Sequence, residues 1–332
     1  MDQVNLAAQN ELLIVSEKTC EEVVTRADAF KAVEDVFGAM ARGDAYNFPV
    51  VREAIGHGDA LYGFKSGFDR AGMVLGVKSG GYFPANAARG LTNHQSTVFL
   101  FDPDTGRLSA LVGGNYLTAV RTAASSSVSI AHLARKDAKV LGMVGAGHQS
   151  AFQLRAAAEQ CGFEKVVAWN PHPEMLPRLG AVAAELGLPF EAVTREELGA
   201  QADVIITITS AFEPLIKRDW IKPGTHIACM GTDTKGKQEV DPALVASATV
   251  FTDEVAQSIT IGETQHAIGS GAITEAQITP IGDVINGVHD GRRSDDEITL
   301  FDGTGVGLQD LAVASVAANA AKAKGHAISV QL

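Results

Sequence analysis

Residues 139–158 read KVLGMVGAGHQSAFQLRAAA. The first part, Val140–Val144, is a short apolar run, as expected of a buried strand. Gly145-Ala-Gly147-His148-Gln149-Ser150 follows, and an Ala-rich segment with helical spacing begins at once. Strand, glycine turn and helix in that order form the opening unit of a dinucleotide-binding domain. The glycines Gly145 and Gly147 permit the turn and the close approach of a diphosphate, whose charge rests on the N–H groups at the helix start. The third small position is Ser150 rather than glycine, still small enough for the helix to lie close to the strand. An ordinary tight βα turn shares these ingredients; the flanking strand and helix favour nucleotide binding.

Downstream, short apolar runs recur at Lys165–Trp169, Val204–Thr209, His226–Met230 and Ala248–Thr252. A helix over Pro173–Leu186 places Met175, Leu179, Val182 and Leu186 on one face, and Gly187 ends it. Strands alternating with helices imply a parallel sheet covered on both faces. Upstream the pattern differs. Glu11–Ser16 reads as a strand, and Phe30, Val33, Phe37 and Met40 as the face of a helix that Gly43 stops. From Tyr46 to Leu117, alternating segments separated by glycines and prolines read as a meander, with a hairpin turn at Asp102–Gly106. A helix over Leu117–Leu133 leads into the glycine turn. After Asp302 a second glycine-rich turn, GTGVG (303–307), opens an Ala-rich helix. The expected architecture is α/β: a Rossmann domain over 122–302, inserted into an α+β domain of 1–121 plus 303–332.

The composition fits this reading. At 332 residues the chain can hold two cores, and 46% hydrophobic with 20% charged residues describes a globular protein. The net charge of −12, from 27 basic and 39 acidic residues, argues against a nucleic-acid or anionic-membrane surface. No apolar run nears the ~20 residues that span a bilayer, and the N-terminus shows no secretory signal. Cys20, Cys161 and Cys229 are far apart and lack metal-ligand spacing, so we expect no metal, buried thiols and a cytoplasmic location.

Candidate chemistry lies at the carboxyl ends of the parallel strands, where such sheets bind ligands. Thr207, Thr209 and Ser210 end one strand, and Met230-Gly231-Thr232-Asp233 ends the next, with Lys235 and Lys237 beyond. An Asp in such a turn is often a turn former; its place at the crevice adds a functional reading. After the second strand, Asn170 stands where an acid would take the ribose 2′-hydroxyl of NAD, with no Arg beside it to favour a 2′-phosphate. NAD(H) is preferred and NADP(H) stays open. In the first domain Arg52, Lys78 and Arg121 are cations in apolar or glycine-rich surroundings. They are surface or capping charges, or the grip for a bound carboxylate.

Five ordered segments carry a resemblance: VKSGGYFPANAARGLTNHQSTVFLFDPDTGRLSALV, LTAVRTAA, VGAGHQS, GTDTKGKQE and DGTGVGLQDLA. With them the chain resembles the ornithine cyclodeaminase/μ-crystallin family over roughly 45–320. The resemblance implies a homodimer whose first domains pair through their sheets. It implies that Arg52, Lys78 and Arg121 hold the substrate α-carboxylate and that Asp233 is the acid/base. It implies cofactor contacts from Asn93, Arg121, Thr122, Gly147, His148, Gln149, Asn170, Thr209, Met230, Gly231, Lys237, Gly303 and Thr304.

Cyclodeaminases of the family carry an acidic residue that receives the distal ammonium of ornithine. Here the alignment puts Lys65 at that place, in LYGFKSGF. A lysine there repels an ammonium and attracts a carboxylate; otherwise it is a solvated strand residue. The expected activity is therefore NAD(P)H-dependent reduction of a dicarboxylic imino acid, iminosuccinate to L-aspartate. His94 or Arg89 would help Lys65, and Asp233 or Lys78 would supply the proton. The alternatives are a cyclodeaminase using bound NAD and a non-catalytic NADPH-dependent binding protein of μ-crystallin type.

Overall fold

A computed structural model describes residues 11–331; the part of the N-terminus read above for a secretory signal that precedes residue 11 lies outside them. The chain forms two compact units, Met1–Arg121 with Val306–Leu332, and Thr122–Gly305.

The first unit holds strands β1 (Glu11–Val15), β2 (Ala45–Asn47), β3 (Val51–Ala54), β4 (Leu61–Asp69), β5 (Val74–Tyr82), β6 (His94–Phe101) and β7 (Leu108–Gly113). A last strand, Ile328–Gln331, which the sequence reading did not anticipate, pairs antiparallel with β1. The sheet runs last strand–β1–β7–β6–β5–β4–β2, with β3 also on β4, and is antiparallel except between β1 and β7. Local chemistry sets the ends of its elements. Thr25 and Asp28 form a reciprocal cap on helix Arg26–Ala41, and Gly43, at φ +74°, closes it. Asp102 Oδ1 accepts from the N–H groups of Asp104 and Thr105, fixing the β6–β7 turn.

Helix Gly307–Lys324 covers one face of this sheet. Glycine lets it come close. A Cβ on Gly67 would stand 3.0 Å from Leu308 Cδ2, and one on Gly76 would stand 2.9 Å from Leu311 Cδ2. The opposite face exposes an apolar set from β4–β7 that includes Tyr62, Phe64, Phe68 and Phe99, with Phe64 44% exposed.

The second unit holds β8 (Val140–Val144), β9 (Lys165–Trp169), β10 (Phe190–Ala192), β11 (Val204–Thr207), β12 (Phe212–Ile216), β13 (His226–Cys229), β14 (Gln238–Val240), β15 (Thr249–Thr252), β16 (Ile278–Pro280) and β17 (Thr299–Asp302). Eight form one parallel sheet in the order β10-β9-β8-β11-β13-β17-β15-β16, while β12 and β14 pair by themselves. The central strands are buried on both faces, so they read as continuous Val/Ile/Leu runs rather than alternating ones. This is the expected α/β Rossmann arrangement. A strand not anticipated from the sequence, β17, lies between β13 and β15. The strand expected over Val204–Thr209 stops at Thr207, because the Thr209 N–H turns out of the ladder to donate to Glu239 Oε1 at 2.6 Å. The helix expected over Pro173–Leu186 is one 3-10 turn, Pro173–Met175, followed by an α-helix, Leu176–Glu185.

Candidate active site

Two sets of candidate residues stand out, one in each unit. In the first, Lys65 on β4 lies directly opposite Lys78 on β5. Arg52 sits opposite Gly63, two residues from Lys65, and His94 sits opposite Tyr82. By the two-residue period of a strand, all four share one face. Helix Gly307–Lys324 brings Asp310 to that face. Lys78 Nζ lies 2.7 Å from Asp310 Oδ2, Arg121 Nε donates to Asp310 Oδ1 at 3.0 Å, and Arg121 Nη1 donates to Gln309 Oε1 at 2.9 Å. Lys78, Arg121 and Asp310 are all buried.

Like charges directly opposite in a sheet repel, and buried cations require counter-charge. Asp310 provides it for two of them. Burial draws the Lys78 ammonium down to about 7; Asp310 opposes this, while Arg121 and Lys65 add to it. Burial alone would raise Asp310, but Arg121, Lys78 and Lys65 outweigh it and hold the carboxyl below its ordinary value. Burial, with the charge of Lys78 next, takes His94 to about 4, so its ring is neutral at pH 7. The face therefore carries Arg52, Lys65 and Lys78, with Arg121 and Asp310 packed beside Lys78, a cationic setting suited to a carboxylate ligand. Arg52 is exposed on β3, and Arg89 is exposed at the end of the 3-10 helix Pro84–Arg89. Asn93 accepts from the Ala87 N–H and donates to the Tyr82 hydroxyl.

The second set surrounds the carboxyl ends of β8, β11, β13 and β17. Gly145 has φ +111°, and a Cβ on it would stand 2.5 Å from the Ile208 carbonyl oxygen, so only glycine makes this turn. Gly147 and His148 are exposed, with no heavy atom within 4 Å of where a Gly147 Cβ would point. Bare backbone facing open space at a helix start suits a diphosphate. Gln149 Oε1 is buried without a hydrogen-bond partner among the described residues. Asn170 Oδ1 accepts from the Ala146 N–H and its Nδ2 donates to the His172 carbonyl, so this side chain braces the glycine turn. Thr122 is buried, and its carbonyl accepts from Gln153 Nε2. A Cβ on Gly303 would strike Met230 Sδ at 2.6 Å, while Thr304 is held through its N–H and hydroxyl by Asp253 Oδ1. Asp233 Oδ1 lies 2.7 Å from Lys237 Nζ, which also donates to the Gly231 carbonyl. These residues fit a dinucleotide.

The sequence reading missed the buried acids. Asp310 and Glu239 sit inside segments quoted above, QD in DGTGVGLQDLA and the last residue of GTDTKGKQE, and nothing local marks them as buried. Glu263 and Asp253 lie in no recognisable pattern. Burial pushes Asp302 up to about 7 and Glu263 up to about 8, the Glu239 charge adding to the latter. Cys20 and Cys229 are buried as expected, whereas Cys161 is only partly so.

A parallel sheet with a glycine turn at its first strand end, in a chain whose other unit carries a cationic sheet face, marks the class of nicotinamide-dependent oxidoreductases. The chain belongs to the ornithine cyclodeaminase/mu-crystallin family, whose sequence profile matches residues 10–325. It is 65% identical over 321 residues to the iminosuccinate reductase of Paracoccus denitrificans, covering 97% of this chain and 100% of that protein. The crystal structure of the Paracoccus denitrificans iminosuccinate reductase in complex with NAD+ superposes with a TM-score of 0.94 at 64% identity, covering 97% of this chain and 100% of that one. The alanine dehydrogenase of Archaeoglobus fulgidus is 33% identical over 92% of this chain and 94% of its own length. An archaeal alanine dehydrogenase dimer with bound NAD superposes with a TM-score of 0.91 at 31% identity, over 97% of this chain and 99% of that one.

Proposed function

We propose that this chain reduces iminosuccinate to L-aspartate with NADH. The observation that carries the reading is the cationic sheet face, in which Lys65 stands directly opposite Lys78 while Arg121 and Lys78 share Asp310. The identity with an iminosuccinate reductase supports it. Arg52, Lys78 and Arg121 grip the α-carboxylate, the arginines by paired N–H donors, and so convert encounter into orientation. Lys65 takes the second carboxylate, with neutral His94 or Arg89 completing its site. When bound, NADH supplies the hydride to the imine carbon. Either Asp233 or Lys78 gives the one proton that turns the imine nitrogen into an iminium, and the Asp233 carboxylate stabilises that positive charge. A cyclodeaminase reading would place the distal ammonium of ornithine against Lys65, which repels it. The exposed apolar face of the first unit supports a homodimer in which two such faces pack together.

The test is Lys65→Glu, assayed with imines formed from oxaloacetate or pyruvate and ammonia. We expect kcat/KM for the dicarboxylic imine to fall by about a hundredfold, an opposed charge pair being worth several kcal/mol in a partly desolvated site. The monocarboxylic imine should change little. An equal loss for both would remove Lys65 from substrate selection.

A further inference from the structure

Glu239 is completely buried, and four donors converge on it. Its Oε1 accepts from the Thr209 N–H at 2.6 Å and the Thr209 hydroxyl at 2.8 Å; its Oε2 accepts from the Thr207 hydroxyl at 2.7 Å and the Gly231 N–H at 2.9 Å. These donors sit at the ends of β11 and just past β13. The two chain segments are pressed together there, since a Cβ on Gly231 would stand 2.2 Å from the Thr209 carbonyl oxygen and 2.5 Å from Glu239 Oε1. Glu239 is itself fixed, because its backbone N–H donates to Glu263 Oε1 at 2.8 Å. Glu263 also accepts from the Val240 N–H and from the hydroxyl of Thr232, the residue before Asp233.

A buried carboxylate is costly, and an apolar side chain would close a core more cheaply. What a carboxylate does that no apolar residue can is gather N–H and hydroxyl donors from several segments onto two fixed points. The segments gathered here are Thr207–Thr209 and Gly231–Asp233, which hold the proposed cofactor contacts Thr209 and Gly231 and the proposed acid Asp233. We infer that Glu239 is a positioning residue, clamping these two strand ends so that the cofactor contacts and Asp233 keep one geometry during hydride transfer. The inference rests on the function proposed above.

The experiment compares Glu239→Gln with Asp233→Asn in the full-length protein. Per-site kcat for NADH oxidation is measured with oxaloacetate and ammonia, the sites being counted by NADH fluorescence titration. In Glu239→Gln, an amide N–H must face either the Thr209 N–H or the Gly231 N–H, donor against donor. We expect per-site kcat to fall between about tenfold and a hundredfold, as a misplaced reacting group does. NADH affinity should weaken, with KM for the imine unchanged. Thr207→Val, which removes one of the four donors, should give a smaller loss in the same direction that Thr207→Ser restores; this pair decides the matter should Glu239→Gln fail to fold. A merely structural Glu239 would lower the melting temperature and the number of NADH sites but leave per-site kcat intact, and that result overturns the inference. So does a Thr207→Val enzyme with unaltered per-site kcat. Loss of turnover in Asp233→Asn beside an unaffected Glu239→Gln removes the inference alone. Retained turnover in Asp233→Asn removes the reading of the site and the inference with it.

Discussion

Asp310 decides the electrical state of the cationic face. Without its carboxylate, Lys78 and Arg121 would be buried beside each other and would both lose the acidic partner they share. Burial already draws Lys78 down to about 7, and Asp310 is the group that holds it up. If Lys78 acts in its protonated form, activity should decline as pH rises through that value. In Asp310→Asn the upward influence is lost, so the ammonium gives up its proton at lower pH. We expect the alkaline limb of the kcat/KM profile to move down by about one unit, with kcat/KM at pH 8 about tenfold lower. An unmoved limb would show that Lys78 is not the titrating group. Lys78 and Arg121 are legible in the sequence because cations are out of place in GMVLGVKSGG and LTAVRTAA. Asp310 is not, since an acid in the first turn of a helix looks like a dipole complement and its partner Arg121 lies 189 residues away.

At the scale of the element, the helix Gly307–Lys324 reaches the sheet only because glycines stand beneath it. A Cβ on Gly76 would stand 2.6 Å from the Phe99 carbonyl oxygen and 2.9 Å from Leu311 Cδ2. Gly76→Ala should therefore push the helix off and lower stability by about 1–3 kcal/mol, read as a fall in melting temperature. An unchanged melting temperature would mean that the sheet yields without cost. Because Asp310 rides on that helix, activity should fall as well. Strands with strong local signals were readable: β8 and β9 match the runs at 140–144 and 165–169 residue for residue. The insertion of β17 between β13 and β15 was not readable. TLFD is a weak run, and sheet order is set by crossovers of a chain whose local pattern carries no record of its neighbours. The end of β11 was misplaced for a related reason: VIITIT stays apolar through Ile208, but the buried carboxylate of Glu239, 30 residues on, takes the Thr209 N–H.

At the scale of the whole molecule, the expected homodimer has a physical motive in the apolar outer face of the first unit. Sedimentation should show a dimer, and Phe64→Glu, at a position 44% exposed, should shift it to monomer without unfolding it. An unaltered dimer would place the contact elsewhere. No helix among the described residues is long and apolar enough to cross a membrane. On the proposed function, the cationic face selects a dicarboxylic imine for reduction by NADH. The most direct measurement follows NADH absorbance with the purified protein and oxaloacetate plus ammonia, beside pyruvate plus ammonia and, separately, ornithine. We expect fast NADH oxidation with oxaloacetate and ammonia together and slow oxidation with pyruvate and ammonia. Ammonia released from ornithine at constant NADH, with no oxidation in the oxaloacetate arm, would instead make the enzyme a cyclodeaminase and rule out dicarboxylic imine reduction.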